Sequence, residues 1–197
     1  GETLWQHREA LGAFAGEPPS DLKQAFKMTH NSLLYQALVH VPLVFAGPHV
    51  PSSLVHEGLV ANIDIVPTVL DLLGLPPASH VDGRSLAPDF EQLRRGERPA
   101  GRELVYANTS LFTMARSATG DKVIVPHRAS GPDRPLRFQL ATDPHGVDAL
   151  PTVSAGVSRM LGRVETFRRE ALRAAEGEDV IDADVAARMR ERGYLHR

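Results

Sequence analysis

The chain has 197 residues and no cysteine, and its 22 Lys and Arg against 24 Asp and Glu leave a formal charge of −2. That balance excludes the long-range basic field that recruits nucleic acid or an anionic membrane surface. The missing thiols exclude disulfides, zinc thiolate sites and cysteine nucleophiles, and no apolar run approaches the ~18 residues of a membrane span.

Residues 1–20 hold Gly12, Gly16 and the Pro18-Pro19 pair, a loop-rich lead-in around a short helix over Gln6 to Phe14. Ser20 or Asp21 can cap a helical stretch reaching about Lys27, because a short polar side chain satisfies orphan backbone N–H groups there. From Lys27 to Gly47 the pattern predicts a helix feeding a buried strand. Leu34, Leu38 and Val41 recur at spacings of four and three, then Val41, Leu43, Val44 and Phe45 form a β-branched and aromatic cluster. Pro42 stops the helix, and Gly47-Pro48 closes the extended run. An all-apolar strand needs cover on both faces, which points to the interior of an α/β sheet. His30, at the start of this unit, falls at the sheet edge where open α/β folds place ligands.

A second helix is predicted over residues 62–74. Asn62 or Asp64 caps it, Pro67 lies in its first turn, Gly74 stops it, and Val66, Val69, Leu70 and Leu73 form a stripe that should pack on a sheet. Residues 76–101 read as a Pro- and Gly-rich connection with a short helix near Phe90 to Arg95. Short strands follow at Glu103 to Ala107, Leu111 to Ser117, Lys122 to Val125 and Leu136 to Ala141, with Thr119-Gly120-Asp121 as a hairpin turn. Ser154 to Ala175 is an amphipathic helix, and a last short helix runs from about Ala183 to Arg192.

Asp64 and Thr68 read as a helix cap and a first-turn hydroxyl rather than as reactive groups. His40, His49, His56, His80, His127 and His145 have neither an i, i+4 partner nor carboxylates at metal-site spacing. The Arg residues of the helix after Ser154 alternate with Glu165, Glu170 and Glu176, the pattern of a solvated face. No P-loop and no Gly-x-Ser-x-Gly elbow is present. His30 alone is either a site residue or a helix-surface histidine.

Several stretches, taken in order, resemble the sulfatases of the alkaline phosphatase superfamily. His30-Asn31-Ser32 followed by Leu34-Tyr35 and Val41-Pro42-Leu43 is similar to that family's His or Lys, small polar pair, Leu-Tyr and Val-Pro-Leu. Asp64 to Leu75 resembles Asp-Ile-x-Pro-Thr-Leu-Leu-Asp-Leu-Ala-Gly, and Gly83 to Leu86 its Gly-x-Ser-Leu. Arg116 and Lys122 stand where the family has an Arg-x-x-x-Tyr-Lys strand, Leu140 to Pro144 resembles its Leu-x-x-Asp-Pro turn, and Arg188 to Leu195 its common ending.

The resemblance implies an α/β, alkaline-phosphatase-like fold. Residues 1–100 would carry the last strands and helices of the large sheet, and residues 101–197 a small C-terminal antiparallel sheet with helices. It implies a sulfuric ester hydrolase acting on a sulfate-ester small molecule or sulfated glycan, with a divalent metal, calcium, and a formylglycine nucleophile. Gly1 to His7 is similar to the stretch directly after the family's Asp-His metal pair, so those ligands and the nucleophile are expected upstream, with no metal ligand in this chain and no activity by itself. His30 would hydrogen-bond the sulfate ester. His7 would contact substrate, although Gln6 replaces the usual Glu, and Glu2 would orient metal ligands. The parent would be periplasmic, secreted or membrane-anchored. Two other readings stand beside this one, a phosphonate or phosphate ester hydrolase of the same superfamily and a non-catalytic accessory or binding domain.

Overall fold

The structure, a computed structural model, describes residues 34–79, 81–109, 111–127, 135–146, 149–150 and 155–176, with side chains of the last helix as far as residue 171. The helices expected over 6–14, 21–27 and 183–192 lie outside these residues. The described elements are α1 (Gln36–Val39), a 3-10 turn (Asn62–Asp64), α2 (Ile65–Leu72), α3 (Ala87–Arg94), strands β1 (Leu104–Asn108), β2 (Phe112–Ser117), β3 (Asp121–Pro126) and β4 (Leu136–Gln139), and α4 (Ala155–Glu176). The chain divides into two compact units, Gly1–Val164 and Glu165–Arg197.

The four strands form one antiparallel sheet in sequence order, the simplest result of consecutive hairpins. Gly120 closes the β2–β3 hairpin at φ 91°, a conformation that carries little steric cost only without a Cβ, and its N–H donates to the Ser117 carbonyl at 3.1 Å. Met114 thereby faces Ile124, and Arg116 faces Lys122. Period-2 alternation then sorts the side chains into two cores. On one face, Phe112, Met114, Ile124 and Phe138 pack with Leu34, Tyr35 and Leu140. On the other, Leu104, Ala115 and Val123 pack with Val157, Met160 and Val164 of α4. Of the amphipathic helix expected after Ser154, α4 buries Val157, Met160 and Val164.

In two places the sequence calls for a sheet that the described residues do not supply. Residues 41–45 pair with no strand, and Val44 is 81% exposed, so this apolar run is not a buried sheet strand among the described residues. Its composition signals a demand for cover, and no described strand lies beside it to supply that cover. Among the described residues of this stretch, helix is confined to the four residues of α1, ahead of Pro42.

The stripe of α2 is likewise not packed on a sheet, since Val66 is 54% and Leu73 66% exposed. The buried side of α2 carries Thr68, in line with Asp64 one turn earlier, because those polar groups have partners waiting for them. The ends of α2 do follow the sequence. Pro67 sits in the first turn, and Gly74 at φ 64° completes a Schellman cap in which Leu75 N–H bonds the Leu70 carbonyl at 2.9 Å and Gly74 N–H the Asp71 carbonyl at 3.0 Å.

Candidate functional site

His30, His7 and Glu2 lie outside the described residues. Among the described motif residues, Asp64, Thr68, Asp71 and Ser85 fall in one polar cluster, and Arg116 and Lys122 in a second.

The first cluster ties the start of α2 to the loop preceding α3. Asp64 is fully buried. Its Oδ1 accepts the Arg84 N–H at 2.9 Å and an Arg102 Nη2 hydrogen, while Oδ2 accepts the Ala61 N–H at 3.0 Å and Arg102 Nε at 3.1 Å. One turn on, Thr68 Oγ1 donates to the Asp64 carbonyl at 2.5 Å and accepts the Leu86 N–H at 2.9 Å. Asp71 accepts from Ser85 Oγ at 2.5 Å. Asp64, Thr68 and Asp71 therefore hold Arg84, Leu86 and Ser85 in turn.

Gly83 allows this approach, because a Cβ there would stand 1.9 Å from the Ile63 carbonyl oxygen. Beyond it, the Arg84 guanidinium forks onto both oxygens of Asp89 at 3.1 and 2.7 Å. His56 Nδ1 accepts the Gly58 N–H at 3.1 Å, which leaves the proton on Nε2 to be donated to Asp89 Oδ2 at 2.9 Å.

The chemistry of this cluster is structural. Burial would raise the Asp64 carboxyl, but the Arg102 guanidinium and the Arg84 and Ala61 amides outweigh it and hold the group below the usual carboxylate range. Burial likewise opposes Asp89, and Arg84 and His56 bring it down. Asp64 and Asp89, each held ionised by a guanidinium and further N–H donors, are placed as structural anchors rather than as general acids or bases. The sequence reading of Asp64 as a helix cap holds at the 3-10 turn that leads into α2, where its Oδ2 accepts the Ala61 N–H. Its side chain makes no capping bond to α2 and bonds instead to Ala61, Arg84 and Arg102.

The second cluster lies on the Phe138 face of the sheet. Lys122 is 1% exposed, and its Nζ donates to Oε1 of buried Gln36 at 3.3 Å. Directly across the ladder stands Arg116, whose Nε is buried without a hydrogen-bond partner. Burial, and then repulsion from Arg116, push the Lys122 ammonium down to about 7, and burial pushes Arg116 down as well. Tyr35, edge-on to Phe138 at 5.8 Å, is pushed up to about 12 by burial. Sequence reasoning placed Arg116 and Lys122 only as parts of a strand pattern. The signal that unites them is the turn, since a hairpin centred on Thr119 pairs residues three before and three after it.

Among the remaining described histidines, His127 Nε2 lies 2.8 Å from Thr113 Oγ1, which donates to Asn108 Oδ1 at 2.6 Å. Among the described residues, no group of three or more His, Cys, Asp or Glu side chains could hold a metal ion, and no helix is long and apolar enough to cross a membrane.

No family model matches the chain. Arylsulfatase K of Mus musculus is 29% identical over 147 residues, covering 70% of this chain and 25% of that protein. Arylsulfatase K of Bos taurus is 34% identical over 83 residues, covering 42% of this chain and 15% of that protein. A solved structure in complex with its substrate D-glucosamine-2-N,6-O-disulfate matches at TM-score 0.42 and 22% identity, covering 60% of this chain and 25% of that one. The chain is thus related to the sulfatases over part of its length, and it spans between 15% and 25% of these two curated relatives.

Proposed function

We propose that this chain is the C-terminal part of a metal-dependent sulfatase, and that the intact parent hydrolyses sulfate monoesters of a small molecule or a sulfated glycan. The observation that carries the reading is the 147-residue match to arylsulfatase K, which takes in most of the chain. His30 is the residue of this chain assigned to the chemistry. It donates a hydrogen bond to the ester oxygen, and that bond strengthens as negative charge grows there while the bond to sulfur breaks. His7 contacts substrate from the opening segment, and Glu2 orients metal ligands.

A divalent cation such as calcium, when bound, supplies charge stabilisation to an anionic transition state. The described residues do not fit such an ion, since no suitable group of ligands occurs among them. Its ligands and a formylglycine nucleophile are assigned to the rest of the parent.

The test is kinetic and uses the intact parent. His30→Ala should lower kcat about 10²–10³-fold on an alkyl sulfate, equivalent to roughly 2.7–4 kcal/mol, with a smaller change in KM. The loss should shrink on nitrophenyl sulfate, whose leaving group needs less help. Near-wild-type kcat on the alkyl sulfate returns His30 to a structural role, and preference for phosphate over sulfate esters transfers the chain to the sister hydrolases.

A further inference from the structure

Both nitrogens of the His56 ring are committed, and in opposite senses. Nδ1 accepts the Gly58 N–H at 3.1 Å and Nε2 donates to Asp89 Oδ2 at 2.9 Å, with the side chain 12% exposed. An acceptor two residues before a backbone N–H closes a small turn, as an Asn or Asp side chain does. Only the neutral ring can do both, because the imidazolium carries a proton on each nitrogen and has no acceptor left. A ring that gains its second proton must therefore give up Gly58, while the Asp89 contact gains charge on both sides and is kept.

The turn holds a close crossing of two backbones. A Cβ on Gly58 would stand 2.7 Å from Gly101 N and Cα, and one on Gly101 would stand 2.2 Å from Leu59 N, so only glycines let the two segments pass this closely. Beside them the Arg102 N–H bonds the Leu59 carbonyl at 2.8 Å, and the Arg102 side chain reaches buried Asp64. β1 begins shortly afterwards, at Leu104. The charged groups on the segments that meet here already have partners. Arg84 forks onto Asp89 from the loop before α3, Glu57 next to the ring in sequence lies 3.7 Å from Arg98, and Arg102 is taken by Asp64.

We propose that His56 is a pH-operated latch on this crossing: the neutral ring holds the turn at 56–58 closed between α3 and the segment leading into β1, and protonation at Nδ1 opens the turn while the ring stays on Asp89. The proton comes from solvent, and the Gly58 N–H passes to water. Loosening at Gly58 reaches Arg102 through the Leu59 carbonyl. The inference rests on the hydrogen bonds of one ring and is independent of the esterase reading.

The experiment follows the His56 ring nitrogen shifts and the Gly58 and Arg102 amides of the full chain by NMR from about pH 8 to 5, the range in which histidine changes charge. At the alkaline end the shifts should report the Nε2–H tautomer. As the ring titrates, the Gly58 amide proton should move upfield. The hydrogen-exchange protection factors of Gly58 and Arg102 should fall together, on the order of tenfold, as a part-buried donor loses its acceptor. His56→Asn keeps an acceptor for Gly58 without a titrating ring, so its protection should not change with pH. His56→Gln keeps a donor for Asp89 but no acceptor for Gly58, so its protection should be low throughout. A ring that carries its proton on Nδ1 at the alkaline end, that stays neutral to the acid end, or that titrates with the Gly58 amide unmoved overturns the proposal on the wild-type chain alone. So does a fall in His56→Asn equal to that of the wild type, which would assign the change to a carboxylate of the cluster.

Discussion

At Lys122 the cost of burial is set by the protonation state, so stability should follow pH. Its folded-state value is about 7, below the ordinary 10.5. Between those limits the unfolded chain binds the proton and the folded one does not, so stability from this residue rises with pH across the window. Below about 7 both states are protonated and the full penalty is present. Urea unfolding in chloride buffer should show ΔG increasing from pH 7 to 10, and Lys122→Met should remove that slope. Gln36→Glu places a carboxylate where the amide oxygen now lies, so the Lys122 titration should move upward and the slope should also flatten.

Asp64 works in the opposite sense. Its folded value is depressed, so its contribution is present above the ordinary carboxylate range and is lost as pH falls through the folded value. Replacing it by Ala leaves Arg102 and two amides unpaired in a buried place. Chemical denaturation at neutral pH should register a loss of about 3–5 kcal/mol, the usual consequence of breaking one side of a buried pair.

Among the elements, α2 and the loop at 83–86 form one unit, and the two glycines near it do different work. Gly83 has ordinary backbone angles but no room for a Cβ, which would collide with the Ile63 carbonyl. Gly74 has φ 64° and open space around it. Gly83→Ala should therefore destabilise by about 3 kcal/mol through overpacking against fixed backbone. Gly74→Ala should cost about 1–2 kcal/mol, the price of a left-handed conformation alone. Thermal unfolding of the two variants side by side separates a clash from a conformational strain.

The same elements mark what the sequence made legible. The four strands fall within one or two residues of their predicted spans, because alternation and the Thr119-Gly120-Asp121 turn fix strand and register by local rules. The ends of α2 were legible through Pro67 and Gly74 for the same reason. Its facing was not. An apolar stripe states which side can be buried, whereas Asp64 and Thr68 are buried by partners about twenty or more residues away that no local pattern reveals. The Arg116–Lys122 pairing was implicit in the hairpin register, but the burial of Lys122 depends on α1, which is eighty-six residues earlier at the Gln36 contact.

For the whole chain, the apolar surface is the quantity with consequences. Val44 and Val55 are 81% and 77% exposed, and the stripe of α2 adds Val66 and Leu73 on the same unit, beside half-exposed Ile63 and Leu75. Isolated apolar side chains on a surface are ordinary, but these six exposed within 32 residues of sequence leave a concentration of apolar surface in water that favours association. The 197-residue chain alone should therefore self-associate as its concentration rises, through hydrophobic burial that strengthens on warming from the cold. Multi-angle light scattering across a concentration series should show the mean mass climbing. Val44→Lys combined with Val66→Lys and Leu73→Lys should hold the chain near its monomer mass, because all three side chains already face solvent and none supports either core. Arg159→Glu, a charge change on the exposed side of α4, is the control and should leave the association unchanged. A wild-type chain that stays monomeric throughout the series, with the triple variant indistinguishable from it, would show that this surface is tolerated in water and that its apolar residues make no demand for a partner.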